Sequence, residues 1–202
     1  HRAMRRAVLI TNPAARRALT QRALRDAVAS LHALDWQITI EEARSAGDTT
    51  ARATHHTLNG VDAVLGCGGD GTLLAVANGV RAAGADSLTA VGVLPAGTAN
   101  VWAAEAGVPL DPGGALALLE HGIRRRVDVG VAQIGDRTPV RFLLVCGVGL
   151  DAAVIAATEA RPQWKRRLGR LAFAMPSLAA LAAWPSVSAR LIVDGEVIEA
   201  SR

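Results

Sequence analysis

Hydrophobic and polar positions follow two periods along the first 120 residues. Short apolar runs predict four buried strands, at residues 5–11, 36–41, 61–67 and 89–95. Apolar residues at helical spacing predict helices at residues 20–34, 47–60, 71–83, 99–106 and 112–121. Asp48 is the candidate N-cap of the second of these helices. Because strands and helices alternate, we expect an α/β fold whose sheet is parallel, with right-handed crossovers.

The pattern changes near residue 124. Two long strands joined by the turn "GDRTP" (135–139) are predicted next, followed by helices at 150–159 and 165–184. Asp194-Gly195 between two alternating runs predicts a β-hairpin. We therefore expect an α/β domain at residues 4–123 and a β-rich domain with helical insertions at 124–202. A sheet that ends at this hairpin has an open edge, so we expect the second domain to be incomplete.

The amino-acid composition and charge limit which binding partners and which cellular compartment we expect. The net charge is +4 and Lys165 is the only lysine, so arginine supplies the basicity. We attribute this to biased residue usage and expect no nucleic-acid partner, because aromatic residues for base stacking make up only 3%. Two cysteines and no recognisable signal peptide favour the reducing cytoplasm.

A glycine-rich loop carries the clearest chemistry. Gly66, Gly68 and Gly71 form a G-x-G-x-x-G pattern between a predicted strand and helix, which is typical of dinucleotide sites. However, the usual acid about 20 residues further on is missing, and Asp70 lies within the loop. A carboxylate repels polyphosphate unless a divalent cation lies between them or a hydroxyl is to be deprotonated. Asp70 is therefore the candidate catalytic residue and Mg²⁺ ligand of a metal–nucleotide site.

Two further loops point to the same place. Thr98 and Asn100 follow the fourth predicted strand, and Asn12 follows the first. The carboxyl ends of parallel strands share one edge of the sheet, where ligands bind. We expect the hydroxyl and amide groups of these loops to meet phosphate or ribose beside the loop Gly68–Thr72.

These motifs resemble a known family, the diacylglycerol kinase catalytic domain family, which includes bacterial lipid kinases and sphingosine kinases. The resemblance rests on "GGDGT" (68–72) and "GVLPAGTAN" (92–100), with "TNP" (11–13), "AGDTT" (46–50), "RRVDVG" (125–130) and "CGVGLDA" (146–152) in the same order. "GGDGT" is shared with NAD kinases and 6-phosphofructokinases, whereas the form of the second loop favours lipid kinases.

The resemblance implies an NAD-kinase-like nucleotide domain followed by a β-sandwich, and ATP- and Mg²⁺-dependent phosphorylation of a lipid hydroxyl. It implies nucleotide contacts from Asn12, Gly69, Asp70, Gly71, Thr72 and Thr98. It also implies that Asp128 joins a carboxylate network that helps to hold Mg²⁺. From the residues alone, Asp128 is equally well a polar residue at the start of a strand.

Several positions depart from the family pattern. Leu74, Ala75, Val101 and Ala43 stand where polar residues are common, which removes polar groups from the phosphate crevice. Two other interpretations therefore stay open: an NAD-kinase-like enzyme, and a nucleotide-binding regulatory module with degenerate catalysis.

The catalytic base of the family is a glutamate in a late Asp-Gly-Glu motif. Glu196 follows Asp194-Gly195, but turn chemistry explains that pair, so we expect the base to be absent and this chain to be weak or inactive as a kinase. Four cations lie beside an apolar helical pattern, namely Lys165, Arg166, Arg167 and Arg170. They indicate either a solvated helix face that packs on the sheet or peripheral contact with an anionic membrane at the inner face.

Overall fold

The computed structural model describes residues 4–12, 21–32, 34–84, 88–160 and 189–200. The strands are β1 (Arg5–Thr11), β2 (Trp36–Glu42), β3 (Ala63–Gly68), β4 (Ala90–Pro95), β5 (Gly130–Ala132), β6 (Val140–Phe142), β7 (Ala189–Val193) and β8 (Glu196–Ala200). The helices are α1 (Gln21–His32), α2 (Ala46–Leu58), α3 (Asp70–Ala82), α4 (Val101–Glu105), α5 (Pro112–His121) and α6 (Leu150–Glu159).

The first four strands form one parallel sheet in the order β2-β1-β3-β4. In its register, Ala7 of β1 lies between Ile38 of β2 and Ala63 of β3. The predicted α/β fold is confirmed. The chain leaves β1 for the edge strand β2 and then returns past β1 to β3, so the direction of winding reverses between β1 and β3.

Alternate side chains of β1 lie on opposite faces of the sheet, and both faces are apolar. Ala7 and Leu9 pack into a cluster with residues of α1 and α5, whereas Val8 and Ile10 pack with residues of α2 and α3. All four side chains are at most 2% exposed. This burial on both faces explains why the strand reads as one continuous apolar run.

The start of α2 corrects one prediction. Ser45, not Asp48, is the N-cap, because its hydroxyl accepts a hydrogen bond from the Asp48 N–H at 3.1 Å. Asp48 lies in the first turn, where its carboxylate accepts from the Arg44 N–H at 3.0 Å. Both residue types can cap a helix, so composition alone does not separate them.

The predicted pair of long strands after residue 124 is wrong in extent. β5 and β6 pair over three residues each, across the predicted turn. The side chains of Val131 and Val140 are 60% and 63% exposed. No buried apolar face in the described ranges therefore stabilises a longer pair of strands here. The hairpin of β7 and β8 is confirmed, with φ of 51° at Asp194 and 87° at Gly195, as a two-residue turn with positive φ at both positions requires.

Two compact units divide between Cys146 and Gly147. The domain boundary expected after residue 123 stays a prediction. The helix expected at 165–184 lies outside the described residues, as do Lys165, Arg166, Arg167 and Arg170. In the described ranges, every helix is too short or too polar to cross a bilayer.

Candidate functional site

Three loops meet at the carboxyl edge of the sheet. The Asn12 N–H donates to the Cys67 carbonyl at 3.2 Å, which joins the segment after β1 to the end of β3. The Ala96 N–H donates to the Gly68 carbonyl at 2.9 Å, which joins the segment after β4 to the same place. The ends of β1, β3 and β4 therefore lie together where the winding reverses, the place at which open α/β sheets bind ligands. The convergence of the side chains on one ligand stays a prediction.

The first glycine loop leads directly into α3. Gly69 is the N-cap, and its carbonyl accepts from the Thr72 and Leu73 N–H groups at 2.9 and 3.1 Å. The first N–H groups of the helix, those of Asp70 and Gly71, have no acceptor within it. Together with the positive end of the helix dipole, they make the loop a favourable place for an anion.

Gly68 is required by close packing of the loop on the helix. A Cβ at this position would overlap Thr72 Oγ1 and stand 2.7 Å from Thr72 Cβ. Thr72 is half-buried beneath the loop. The first turn of α3 therefore brings Thr72 against Gly68, two residues of the loop predicted from the sequence.

Asp70 faces the second loop. Its carboxylate accepts hydrogen bonds from the Val101 N–H at 3.2 Å and the Trp102 N–H at 2.9 Å, the first two residues of α4. The sequence predicted the acid in the crevice but not this contact, because bonds between residues 31 and 32 positions apart leave no local signal. Each carboxylate oxygen has a second lone pair, so the group can still accept a cation.

The second loop is closed by Asn100. This residue is 5% exposed and has φ of 50°, in the left-handed region. Its Oδ1 accepts from the Gly97 N–H at 2.9 Å, and its Nδ2 donates to the Gly97 carbonyl at 3.1 Å. Thr98, between them, is half-buried. Nucleotide contact by Thr98 and Asn100 stays a prediction.

The two glycine loops touch through their backbones. A Cβ on Gly97 would overlap Gly69 Cα and stand 2.9 Å from Gly69 N. Gly97 was not among the predicted site residues, although its place between Pro95 and Asn100 gave a signal for a tight loop. The backbones can approach this closely only because both residues lack a side chain.

Within the described ranges, no three His, Cys, Asp or Glu side chains are grouped to hold an ion. Asp128 is exposed in the segment before β5, and its role stays a prediction. Mg²⁺ usually takes one or two carboxylates together with substrate phosphates, so Asp70 beside an anion site fits a metal that arrives with a nucleotide.

Cys67 precedes the first loop but offers no nucleophile. Burial raises the pKa of its thiol to about 11, so the thiol stays protonated at neutral pH. The residue packs in the cluster that includes Leu65 and Leu94. Its role is to fill the core beneath the site.

These features define a class of protein, namely α/β proteins in which two paired glycine loops lie at the carboxyl edge of a parallel sheet. The family model of the diacylglycerol kinase catalytic domain matches residues 6–132. The chain belongs to this family, and the resemblance stated from the motifs is confirmed.

Relatives agree with this assignment. A Stenotrophomonas maltophilia protein described as "Probable lipid kinase YegS-like" is 32% identical over 83% of this chain and 54% of its own length. A Staphylococcus aureus diacylglycerol kinase is 30% identical over 80% of this chain and 55% of its own length. The chain thus spans about half the length of the curated relatives it matches.

The fold also matches solved structures. A crystal structure of a diacylglycerol kinase from Bacillus anthracis superposes with a TM-score of 0.69 at 24% identity, over 99% of this chain and 62% of that one. At this identity the likeness supports the fold.

Proposed function

We propose that this chain supplies the nucleotide site of an ATP- and Mg²⁺-dependent lipid kinase, which transfers the γ-phosphoryl group to a hydroxyl of a diacylglycerol-like lipid. The observation that carries the proposal is the pair of joined glycine loops, which present Asp70 and the start of α3 at the switch point of the sheet. Family membership supports the choice of a lipid as acceptor.

The phosphates are proposed to lie over the first turn of α3. The backbone of Gly68, Gly69 and Gly71 lets a phosphate approach closely, and the helix N-terminus supplies N–H donors. The side chains of Asn12, Thr72 and Thr98 are the proposed further contacts of the nucleotide. This arrangement would bind the phosphates through backbone donors, without a lysine side chain.

Asp70 and Asp128 are the proposed carboxylates for Mg²⁺. Asp128 is exposed, and its carboxylate makes no hydrogen bond or ion pair with another residue in the described ranges, so it is available to a cation. Bound Mg²⁺ would neutralise phosphate charge as the transferred group leaves ADP. Without it, Asp70 would repel the phosphates.

In the proposed reaction, the lipid hydroxyl oxygen bonds to the γ-phosphorus while the bond from that phosphorus to ADP breaks. The hydroxyl proton passes to a general base, and Asp70 is the candidate for this role among the described residues. Asp70 is proposed to orient Mg²⁺–ATP or to assist the attacking hydroxyl. Its bonds to Val101 and Trp102 fix the direction of the carboxylate before either partner binds.

A lipid acceptor implies a membrane surface. We propose peripheral contact of a cytoplasmic protein with anionic lipid, through the basic residues at 165–170 named above. Arginine and lysine near such a surface contribute about 1 kcal/mol each.

The test is phosphoryl transfer from radiolabelled ATP by the full-length protein. Diacylglycerol in mixed micelles and NAD are offered as acceptors in parallel, with EDTA as the metal-free control. We expect label in the lipid, and none after chelation. Label in NAD alone would favour the NAD-kinase-like alternative, and ATP binding without turnover would favour a regulatory module.

A further inference from the structure

Asn100 has an unusual combination of features. It is the N-cap residue of α4, yet it adopts a left-handed conformation and its side chain makes no capping bond. N-cap residues normally have extended backbone and bond the amides of their own helix. Here the side chain points back to Gly97 and satisfies both polar groups of that residue.

The missing cap is supplied from the other loop. Asp70 accepts from the first two N–H groups of α4, the donors that Asn100 leaves unused. Each loop therefore holds the other: Asp70 fixes the end of the second loop, while Asn100 fixes Gly97 against Gly69.

Position 100 has two requirements at once. A φ of 50° is costly for most residues and is tolerated best by Gly, Asn and Asp. The backbone N–H of Gly97 also needs an acceptor and its carbonyl needs a donor, and one short side chain supplies both. Glycine lacks both groups and aspartate lacks the donor, so asparagine alone of these three meets both needs.

We propose that Asn100 is a positioning residue of the nucleotide site, which acts through Gly97 and not through the direct nucleotide contact expected from the sequence. This inference rests on the proposed function, because it assigns the way in which that site is held ready for Mg²⁺–ATP. With Gly97 fixed, the backbone of Gly69 and the start of α3 keep the geometry that receives phosphate.

A double-mutant cycle separates positioning from direct contact. Mg²⁺–ATP binding is measured by calorimetry for the intact chain, Asn100→Gly, Gly97→Ala and the double variant. Asn100→Gly keeps the backbone unstrained and removes both bonds, so we expect affinity to fall about tenfold or more. Because Asn100 acts only through Gly97, the double variant should bind no more weakly than the weaker single variant.

Amide hydrogen exchange without nucleotide provides a second measurement. Asn100→Gly should speed exchange at the Gly97 and Gly69 amides. The matched control is Asp35→Gly. Asp35 is exposed, has φ of 62° and directly precedes β2, so it lies at the amino edge of the sheet, away from the two glycine loops. This control should change neither affinity nor exchange in the loops.

Several outcomes would overturn the proposal. Asn100 does not act through Gly97 if Asn100→Gly leaves Mg²⁺–ATP affinity unchanged. The same conclusion follows if the affinity loss of the double variant equals the product of the losses of the two single variants. If the intact chain binds no Mg²⁺–ATP, the proposed function fails, and exchange decides the positioning role by itself. Unaltered exchange at Gly97 would then refute it.

Discussion

The carboxylate of Asp70 contributes both to the packing of the two glycine loops and to the proposed site. This group satisfies two backbone donors at the start of α4 and stands at the N-terminus of α3. The sequence predicted the second feature, because an acid within a glycine loop is electrostatically odd. It could not predict the first, because the partners are backbone groups whose position depends on how β3 and β4 pair.

Replacement of this carboxylate should affect stability and binding together. Asp70→Ala leaves the two N–H groups without their acceptor, so we expect the free energy of unfolding to fall by about 1–3 kcal/mol. We also expect weaker Mg²⁺–ATP binding, because the proposed metal contact is lost. Urea unfolding and calorimetry measure the two effects.

The matched control is Asp62→Ala. Asp62 accepts from the Arg6 N–H at 2.8 Å, but at the amino edge of the sheet. It should lower stability in a similar way and leave Mg²⁺–ATP affinity unchanged. Equal binding by the intact chain and Asp70→Ala would show that the loop acid has no part in holding the nucleotide.

At the scale of elements, β2 and α2 are joined by a network that the sequence did not reveal. Arg52 donates to Glu41 and Asp48, both at 2.9 Å, and His56 Nε2 lies 3.0 Å from Glu41 Oε1. The helical spacing of Asp48, Arg52 and His56 was visible. That Glu41 would lie opposite them depends on the packing of the helix on the strand.

This network makes stability depend on pH. The hydrogen bond from Arg52 holds the pKa of Glu41 below its usual value; partial burial opposes this shift, and His56 adds to it. A lowered pKa in the folded state means that ionised Glu41 stabilises the protein at neutral pH, and that this contribution is lost as pH falls through the folded pKa. Glu41→Gln should therefore lower the free energy of unfolding by roughly 1 kcal/mol at pH 7.

The difference between Glu41→Gln and the unsubstituted chain should vanish at acidic pH, once Glu41 is protonated in both states. Urea unfolding at several pH values measures it. Glu42→Gln is the control, since Glu42 is exposed and its carboxylate has no ion pair within the described ranges. A difference that persists unchanged into strong acid would exclude the ionised pair as its source.

The elements themselves were predictable where burial repeats strictly. β1 to β4 lie where the apolar runs placed them. Helices cover β1 and β3 on both faces, whereas the edge strand β2 buries Trp36 and Ile38 on one face. The prediction was wrong for the two strands directly after residue 124, which were expected to be long and pair over only three residues each. Alternation shows that a strand can form a buried face; it does not supply the layer that buries it.

At the scale of the whole molecule, the place of the site followed from topology. Strand–helix alternation implies that β1, β3 and β4 run in parallel, so their carboxyl ends share one edge. Which loop contacts which was not predictable, because it depends on the sheet order. That order brings the segments after β3 and β4 close enough for Gly69 to touch Gly97.

A site built into the folded sheet predicts how nucleotide changes global stability. A ligand that binds only the native state stabilises it by about 2.7 kcal/mol at one hundred times its Kd. We expect ATP with Mg²⁺ to raise the unfolding temperature of the chain, and ATP with EDTA to do so much less, because Asp70 then faces uncompensated phosphate charge. Differential scanning calorimetry measures both, with NAD as the comparison ligand. An equal rise with and without the metal would mean that phosphate is held by backbone donors alone, and the metal would then have no place in the binding step.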